Sequence, residues 1–331
     1  MSLSKKIKRF ITHQFIAVIL HKEECHIRID LKKNGKTLKE NEVTFVPDKD
    51  MNLTSDMEEF FKNALKQYKH TYIGVLLPSA AQGAFKGCES ERFSTFNIDI
   101  NNVKRICIEG LWSVYASNIE INWIKNIFKN VDIDFIYSPF VILYSYIKEE
   151  KKEKGATIYI LNEGKSLTII IMKGEKFLYG AFFDLENRKE DVLEELEKEG
   201  DVEEDSIILD DLEADNMFKE LEDLDEIADF EDLDNITPPD DLDIEEMLGG
   251  GLIESEYAKT IVDNIKSSMK DFYDNPLYES SFVEFAKIYE YESVDYKVVD
   301  YLENELLLDV EVKKVDILKR MNELSEEEIL K

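Results

Sequence analysis

Residues 155–183 read GATIYILNEGKSLTIIIMKGEKFLYGAFF. Apolar runs at 155–161, 167–173 and 176–183 are divided by Asn162-Glu163-Gly164 and by Lys173-Gly174-Glu175, so the stretch predicts a three-strand meander. The same arrangement opens the chain, where residues 15–45 read FIAVILHKEECHIRIDLKKNGKTLKENEVTF. Continuous apolar character at 15–20 predicts a buried strand and alternation at 26–31 a second. A third, at 37–45, returns from the Asn34-Gly35 turn.

The segments after each meander also repeat. Ser55 begins a helix, with Glu58 three residues on as a capping box and Met57, Phe60, Phe61, Ala64 and Leu65 on one face; 72–77 is then a strand, stopped by Pro78. In the second half a helix from about Ser255 to Tyr273 places Tyr257, Ile261, Ile265 and Met269 on one face. A strand at 282–288, a helix at 295–303 and a closing strand at 308–315 complete it. Between the halves, 82–97 reads as loop, 103–116 includes a strand near its end, 119–128 is a helix and 131–137 a strand. Ser138-Pro139 then starts a helix to Ile147. The expectation is an α/β chain of two similar β-β-β-α-β halves.

At 331 residues and 44% hydrophobic content the chain has material for one large or two medium domains. It has no run of about 18 apolar residues and no N-terminal apolar core with a small-residue cleavage site, so neither a membrane helix nor export is expected. Cys25, Cys88 and Cys107, an odd and sparse set, predict reduced cytosolic thiols. His21, Cys25 and His26 lie close in sequence, but strand alternation sends neighbours to opposite faces, so no metal site is expected. A Gly-rich phosphate loop, a Ser-centred elbow and an HExxH motif are all absent from the sequence. A formal net charge of −31 argues against nucleic acid as a partner.

That charge is concentrated. Residues 190–246 hold 28 Asp or Glu against Lys198 and Lys219, and so carry 26 of the 31 net negative charges. The flanks are nearly balanced, which makes this an acidic insert, bounded at 186–252, in an ordinary folded chain. Within it Phe218, Leu221, Leu224, Ile227, Phe230 and Leu233 recur every third residue, and Leu242, Ile244, Met247 and Leu248 form a second unit. The insert reads either as a solubilising loop or as helical motifs that fold against a partner's apolar groove. At the other end, residues 1–12 predict a short basic amphipathic helix. It either lies on an anionic membrane surface through Leu3, Lys5, Lys6, Ile7, Lys8, Arg9 and Phe10, or docks on its own domain.

The duplicated β-β-β-α-β pattern resembles the actin-like (ribonuclease H-like) fold, and the texture of four stretches narrows the likeness. FIAVILHKEECHIRIDLKKNGKTL (15–38), VYASNIEINWIKNIFKNVDIDFIYSPFVILYSYI (114–147), ATIYILNEGKSLTIIIMKGEKFLYG (156–180) and IVDNIKSSMKDFYDNP (261–276) resemble PilM-type scaffold proteins. Cell-division FtsA and the cytoplasmic domain of GspL are relatives of the same fold. The resemblance implies a first domain at 13–150 with a shortened inserted subdomain at about 80–138, and a second domain at 151–331 interrupted by the acidic insert. It implies a cytoplasmic protein, peripheral on the inner membrane, that grips the short cytoplasmic tail of a PilN-like single-span protein. It also allows assembly with further copies into a ring.

Nucleotide binding in this fold needs an Asp-x-Gly turn in each meander, the glycine admitting phosphate and the Asp orienting Mg²⁺ or water. Ile19 and His21 stand near those places in the first meander. The second keeps Gly164 but has Asn162 for the Asp, and Tyr289-Glu290 replaces a Gly-Gly pair on the adenosine side. The expectation is therefore a pseudo-ATPase with no catalytic residues, no metal and no cofactor, ATP being the one nucleotide to test. The machine served is a pilus, a secretion or transformation system, or a flagellar motor. The rival readings are an active actin-like ATPase that cycles or polymerises, and an unrelated two-domain binding protein with an acidic arm. If the insert's motif is a contact, changing Phe218, Leu221, Phe230 and Leu233 to Ser should abolish co-purification of the assembly without altering the melting temperature. Unchanged co-purification would leave the insert a solubilising arm.

Overall fold

The computed structural model describes residues 10–185 and 244–330, with side chains from 10–185 and 256–330. The basic stretch before Phe10 and the six insert residues from Phe218 to Leu233 lie outside the described residues; Phe10 itself is exposed.

The first meander is β1 (His13–Leu20), β2 (Cys25–Lys33) and β3 (Lys36–Phe45), followed by α1 (Ser55–Gln67) and β4 (Thr71–Leu76). The second is β9 (Ala156–Asn162), β10 (Ser166–Lys173) and β11 (Lys176–Asp184), followed by α5 (Ile244–Asp274), β12 (Val283–Glu290) and the short α6 (Tyr296–Asp300). Each sheet is finished by a fifth parallel strand, β8 (Phe135–Tyr137) or β13 (Asp309–Lys314), giving orders β3-β2-β1-β4-β8 and β11-β10-β9-β12-β13. The two orders are identical position by position, antiparallel within the meander and parallel beyond it. This is the duplicated architecture of the actin-like fold, as expected.

Every residue of β1 and β9 is buried, because each sheet is covered on both faces. The outer faces pack on α1 and α3 (Asn118–Ile127) in the first half and on α5 in the second. The inner faces share one apolar layer: Ala17 and Ile19 from β1, Tyr159 and Leu161 from β9, Phe140 and Leu143 from α4 (Pro139–Ile147), and Ile317 and Met321 from α7 (Ile317–Leu330). The two halves belong to one compact unit.

Several local expectations are corrected. Residues 82–97 are not loop. Gln82–Lys86 forms β5, which pairs with β7 (Trp112–Ser117), itself paired with β6 (Val103–Ile108), and Ser90–Thr95 forms α2. Pairing and the buried Phe85–Phe93 contact override a Gly- and Ser-rich local composition. Thr54 rather than Ser55 is the cap of α1, without a side-chain bond; Glu58 turns instead to Lys62 and Asn130. The helix expected from Ser255 starts at Ile244 and runs through Gly249, Gly250 and Gly251, residues whose low helix propensity favours a boundary there. Leu308–Val315 is not the end of the fold, for α7 follows, capped by Asp316 accepting from Lys319 N at 2.8 Å. Finally, the cysteines are not all reduced. Cys88 and Cys107 are disulfide-bonded, because β5 and β6 flank β7 and bring positions 19 residues apart to a Cα separation of 5.5 Å. Cys25 is free and buried, its thiol pushed up to about 12 by burial.

Met321 is fully buried where both sheets, α4 and α7 meet. Met321→Ala should destabilise the protein by about 2–4 kcal/mol. Urea unfolding followed by fluorescence should show one transition at lower urea, reported by Trp112 in the same layer together with Trp123 on α3. Two separated transitions would mean that the layer does not couple the halves.

Candidate functional site

In this topology the β1–β2 turn and the β9–β10 turn face one another at corresponding ends of the two sheets, where a phosphate would be held in a nucleotide-binding relative. Here side chains of the chain itself fill that place. His21 Nε2 donates to Glu163 Oε1 at 2.5 Å, with both residues buried. Glu163 Oε2 accepts from Ser166 Oγ at 2.9 Å, and Lys165 Nζ reaches Glu23 at 3.3 Å. The two meander turns are thereby tied to each other directly.

Asn162 is fully buried. Its Oδ1 accepts from Tyr257 Oη at 2.8 Å and from the Gly164 amide at 3.4 Å, while its Nδ2 donates to Glu292 O at 3.0 Å. Its own carbonyl accepts from Tyr291 N at 2.9 Å. Both polar atoms of that side chain are thus committed to protein. Burial pushes the Tyr257 hydroxyl up to about 12, so it remains a donor at neutral pH. Gly164 keeps a φ of +100°, which favours glycine, but a Cβ there would lie 2.5 Å from Glu292 Cγ. The space above the glycine, which a phosphate would need, is occupied by a glutamate stem. With Glu163 and Glu292 at the turn and the nearby donors already bonded, the residues present do not fit a phosphate. Among the described residues no cluster of His, Cys, Asp and Glu could hold a metal ion.

Beside this seam lies an open groove of about 530 Å³. Its apolar lining comes from Met51 after β3, Pro78 and Ala80 in the link between β4 and β5, and Ile119 and Trp123 on α3; Lys22, Glu120 and Asp184 add charge of both signs. Ile119 is 77% exposed although it stands on the first turn of a helix whose Ile124 and Ile127 are in the core.

Of the positions singled out in sequence, His21, Asn162 and Gly164 do meet at the seam. Ile19 and Tyr289 do not. Both are buried in the apolar layer between the halves, where Tyr289 stacks on Tyr146 with ring centroids 5.5 Å apart. The residues that complete the seam, Glu163, Tyr257 and Glu292, carried no motif. Tyr257 was legible as a polar tip on the buried face of α5, whereas Glu163 looks like any charge in a polar turn, between Asn162 and Gly164-Lys165.

The family model described as Domain of unknown function (DUF8569) matches residues 10–144, and that described as Domain of unknown function (DUF8341) matches residues 158–330. No curated protein matches the sequence. Among solved structures, a Bacteroides thetaiotaomicron protein with actin-like ATPase fold is 11% identical with a TM-score of 0.43, over 96% of this chain and 97% of that one. A PilM–PilN type IV pilus biogenesis complex is 9% identical with a TM-score of 0.45, over 92% and 89%. MreB 5 of Spiroplasma citri bound to AMPPNP is 9% identical with a TM-score of 0.42, over 96% and 97%. The fold itself rests on the strand order of the two sheets. Since the match at 158–330 spans more than half of the sequence, the chain belongs to the family described as Domain of unknown function (DUF8341).

Proposed function

We propose that this protein is a non-catalytic, PilM-like scaffold that sits under the inner membrane and holds the short cytoplasmic tail of a PilN-like single-span protein. The observation that carries the reading is the His21–Glu163 tie, backed by Asn162, Tyr257 and Glu292, in the place a nucleotide would need. An ATPase of this fold cycles by opening and closing around phosphate. A seam filled by buried, mutually bonded side chains favours one fixed arrangement instead. The groove beside it is the place for a partner. Its floor is largely apolar, rimmed by Lys22, Glu120 and Asp184, and Ile119 is a large apolar side chain with no cover. The partner's class comes from the sequence resemblance, as does the peripheral location; the basic amphipathic pattern of residues 1–12 would place Leu3 to Phe10 on anionic lipid. Residues 218–233 then offer a second contact to the assembly, and a ring of copies is the form it would take.

Isothermal calorimetry with Mg-ATP should give no saturable heat, and hydrolysis should stay at background. Asn162→Asp should not restore either, because Glu163 and Glu292 remain. Micromolar Mg-dependent binding would favour the ATPase reading instead.

A photo-crosslinking amino acid at position 119 should capture a single-span membrane protein in cells. Ile119→Ser should weaken that partner's binding about tenfold, equivalent to about 1.4 kcal/mol, with an unchanged melting temperature. Capture of soluble proteins alone would remove the membrane partner from the reading.

A further inference from the structure

The disulfide sits in a loop that does more than close on itself. Residues 88–107 carry Phe93 and Phe96, which pack on Phe85 of β5 with centroids 4.7 and 4.8 Å away. Phe96 also faces Tyr278 at 5.9 Å. Tyr278 lies in the connection between α5 and β12 and packs edge-on against Tyr179 of β11 at 4.8 Å. On the same side Lys86 and Lys176 both pair with Glu279. The segment closed by the disulfide is therefore one of the places where the small sheet docks on the second half.

The two sulfurs are placed unequally. Cys107 is on edge strand β6 and exposed, whereas Cys88 is half-buried in the link after β5. Arg105 donates to the Cys88 carbonyl at 3.3 Å and to Ser90 Oγ at 3.2 Å, so a permanent positive charge sits on the backbone of the residue that would leave as a thiolate. The remaining cysteine, Cys25, is buried with a raised thiol and takes no part.

We propose that Cys88–Cys107 is a reversible thiol–disulfide site whose reduction loosens the docking of the small sheet on the second half. The co-reactant is a dithiol. Its first thiolate attacks the exposed Cys107 Sγ, a new S–S bond forms, and the Cys88–Cys107 bond breaks with its electron pair on Cys88. The second thiolate then attacks the mixed disulfide, expelling Cys107 and closing the reagent's own disulfide. The two protons from the dithiol end on Cys88 and Cys107. Freed of its closure, the 88–107 segment regains chain entropy and holds Phe96 against Tyr278 less firmly. The inference stands apart from the scaffold reading, since it concerns neither the seam nor the groove.

The test uses the full chain, dithiothreitol under native conditions, maleimide labelling and intact mass. Oxidised protein should take no label and reduced protein two, with Cys25 labelled only after denaturation. Removal of dithiothreitol and addition of oxidised glutathione should restore the bond. Amide exchange across 88–107 and 274–283 should rise at least tenfold on reduction, and a C88S/C107S double variant should match the reduced protein. If that variant does not fold, the reduced unaltered chain supplies the measurement. A bond that survives excess dithiol in the native state, thiols that do not re-form it, or unchanged exchange at Tyr278 would each overturn the proposal.

Discussion

The structure depends on a burial constraint set by its two central strands. β1 and β9 are apolar along most of their length and buried throughout, so each sheet must be covered on both faces. Each half has helices of its own for one face only. The second cover is shared: α4 from the end of the first half and α7 from the end of the chain lie in the layer where Ile19, Leu161, Tyr289 and Met321 meet. Neither half can therefore bury its inner face alone. The small sheet joins the same layer through Trp112, which stacks on Phe177 at 4.5 Å, and through Gly180, where a Cβ would come 3.1 Å from Ala84 Cβ.

With the halves held by that layer, the two meander turns are left facing each other at its rim. Whatever fills the gap sets whether the halves can move. Ser166 satisfies one oxygen of the buried Glu163 from its own half, and the other depends on His21 in the first, so loss of His21 would leave a buried carboxylate half satisfied. The bond links fold to function: the positions that this topology makes available for phosphate are spent on holding the turns together, which suits the proposed scaffold.

Much of this was legible in the sequence, and for a physical reason. Period-2 alternation, uninterrupted apolar runs and Asn-Gly or Glu-Gly turns are local signals, and they located both meanders and the duplicated order. Features that rest on pairing between distant segments were not legible. β5 contains a glycine in a Gly- and Ser-rich stretch and became a strand because β7 lies beside it; Cys88 and Cys107 are joined because the small sheet closes between them. α7 carries apolar Ile317, Leu318, Met321 and Leu324 at helical spacing and could have been found. At the seam Asn162 was found by its departure from Asp, whereas Glu163 had meaning only once His21 was seen across the gap.

The outer side of α7 has a different physics. Its partner strand β2 presents Arg28, Asp30 and Lys32 on that face, all buried. Arg28 meets four carboxylates, Asp30, Glu40, Glu42 and Asp316, at 2.5–3.1 Å; Asn322 bonds Asp30 at 3.1 Å and Lys32 bonds Glu326 at 2.8 Å. Such a network adds little net stability over an apolar face of the same shape, since each charge must first leave water. Its effect is to fix register. An apolar helix could slide by a turn along an apolar sheet at small loss. One turn of slip here would strand Asp30 and Lys32 without partners from α7. The apolar side of α7 thus supplies adhesion between the halves and the polar side selects one position for it. The scaffold proposed above, which would hold its halves in a single arrangement, needs both.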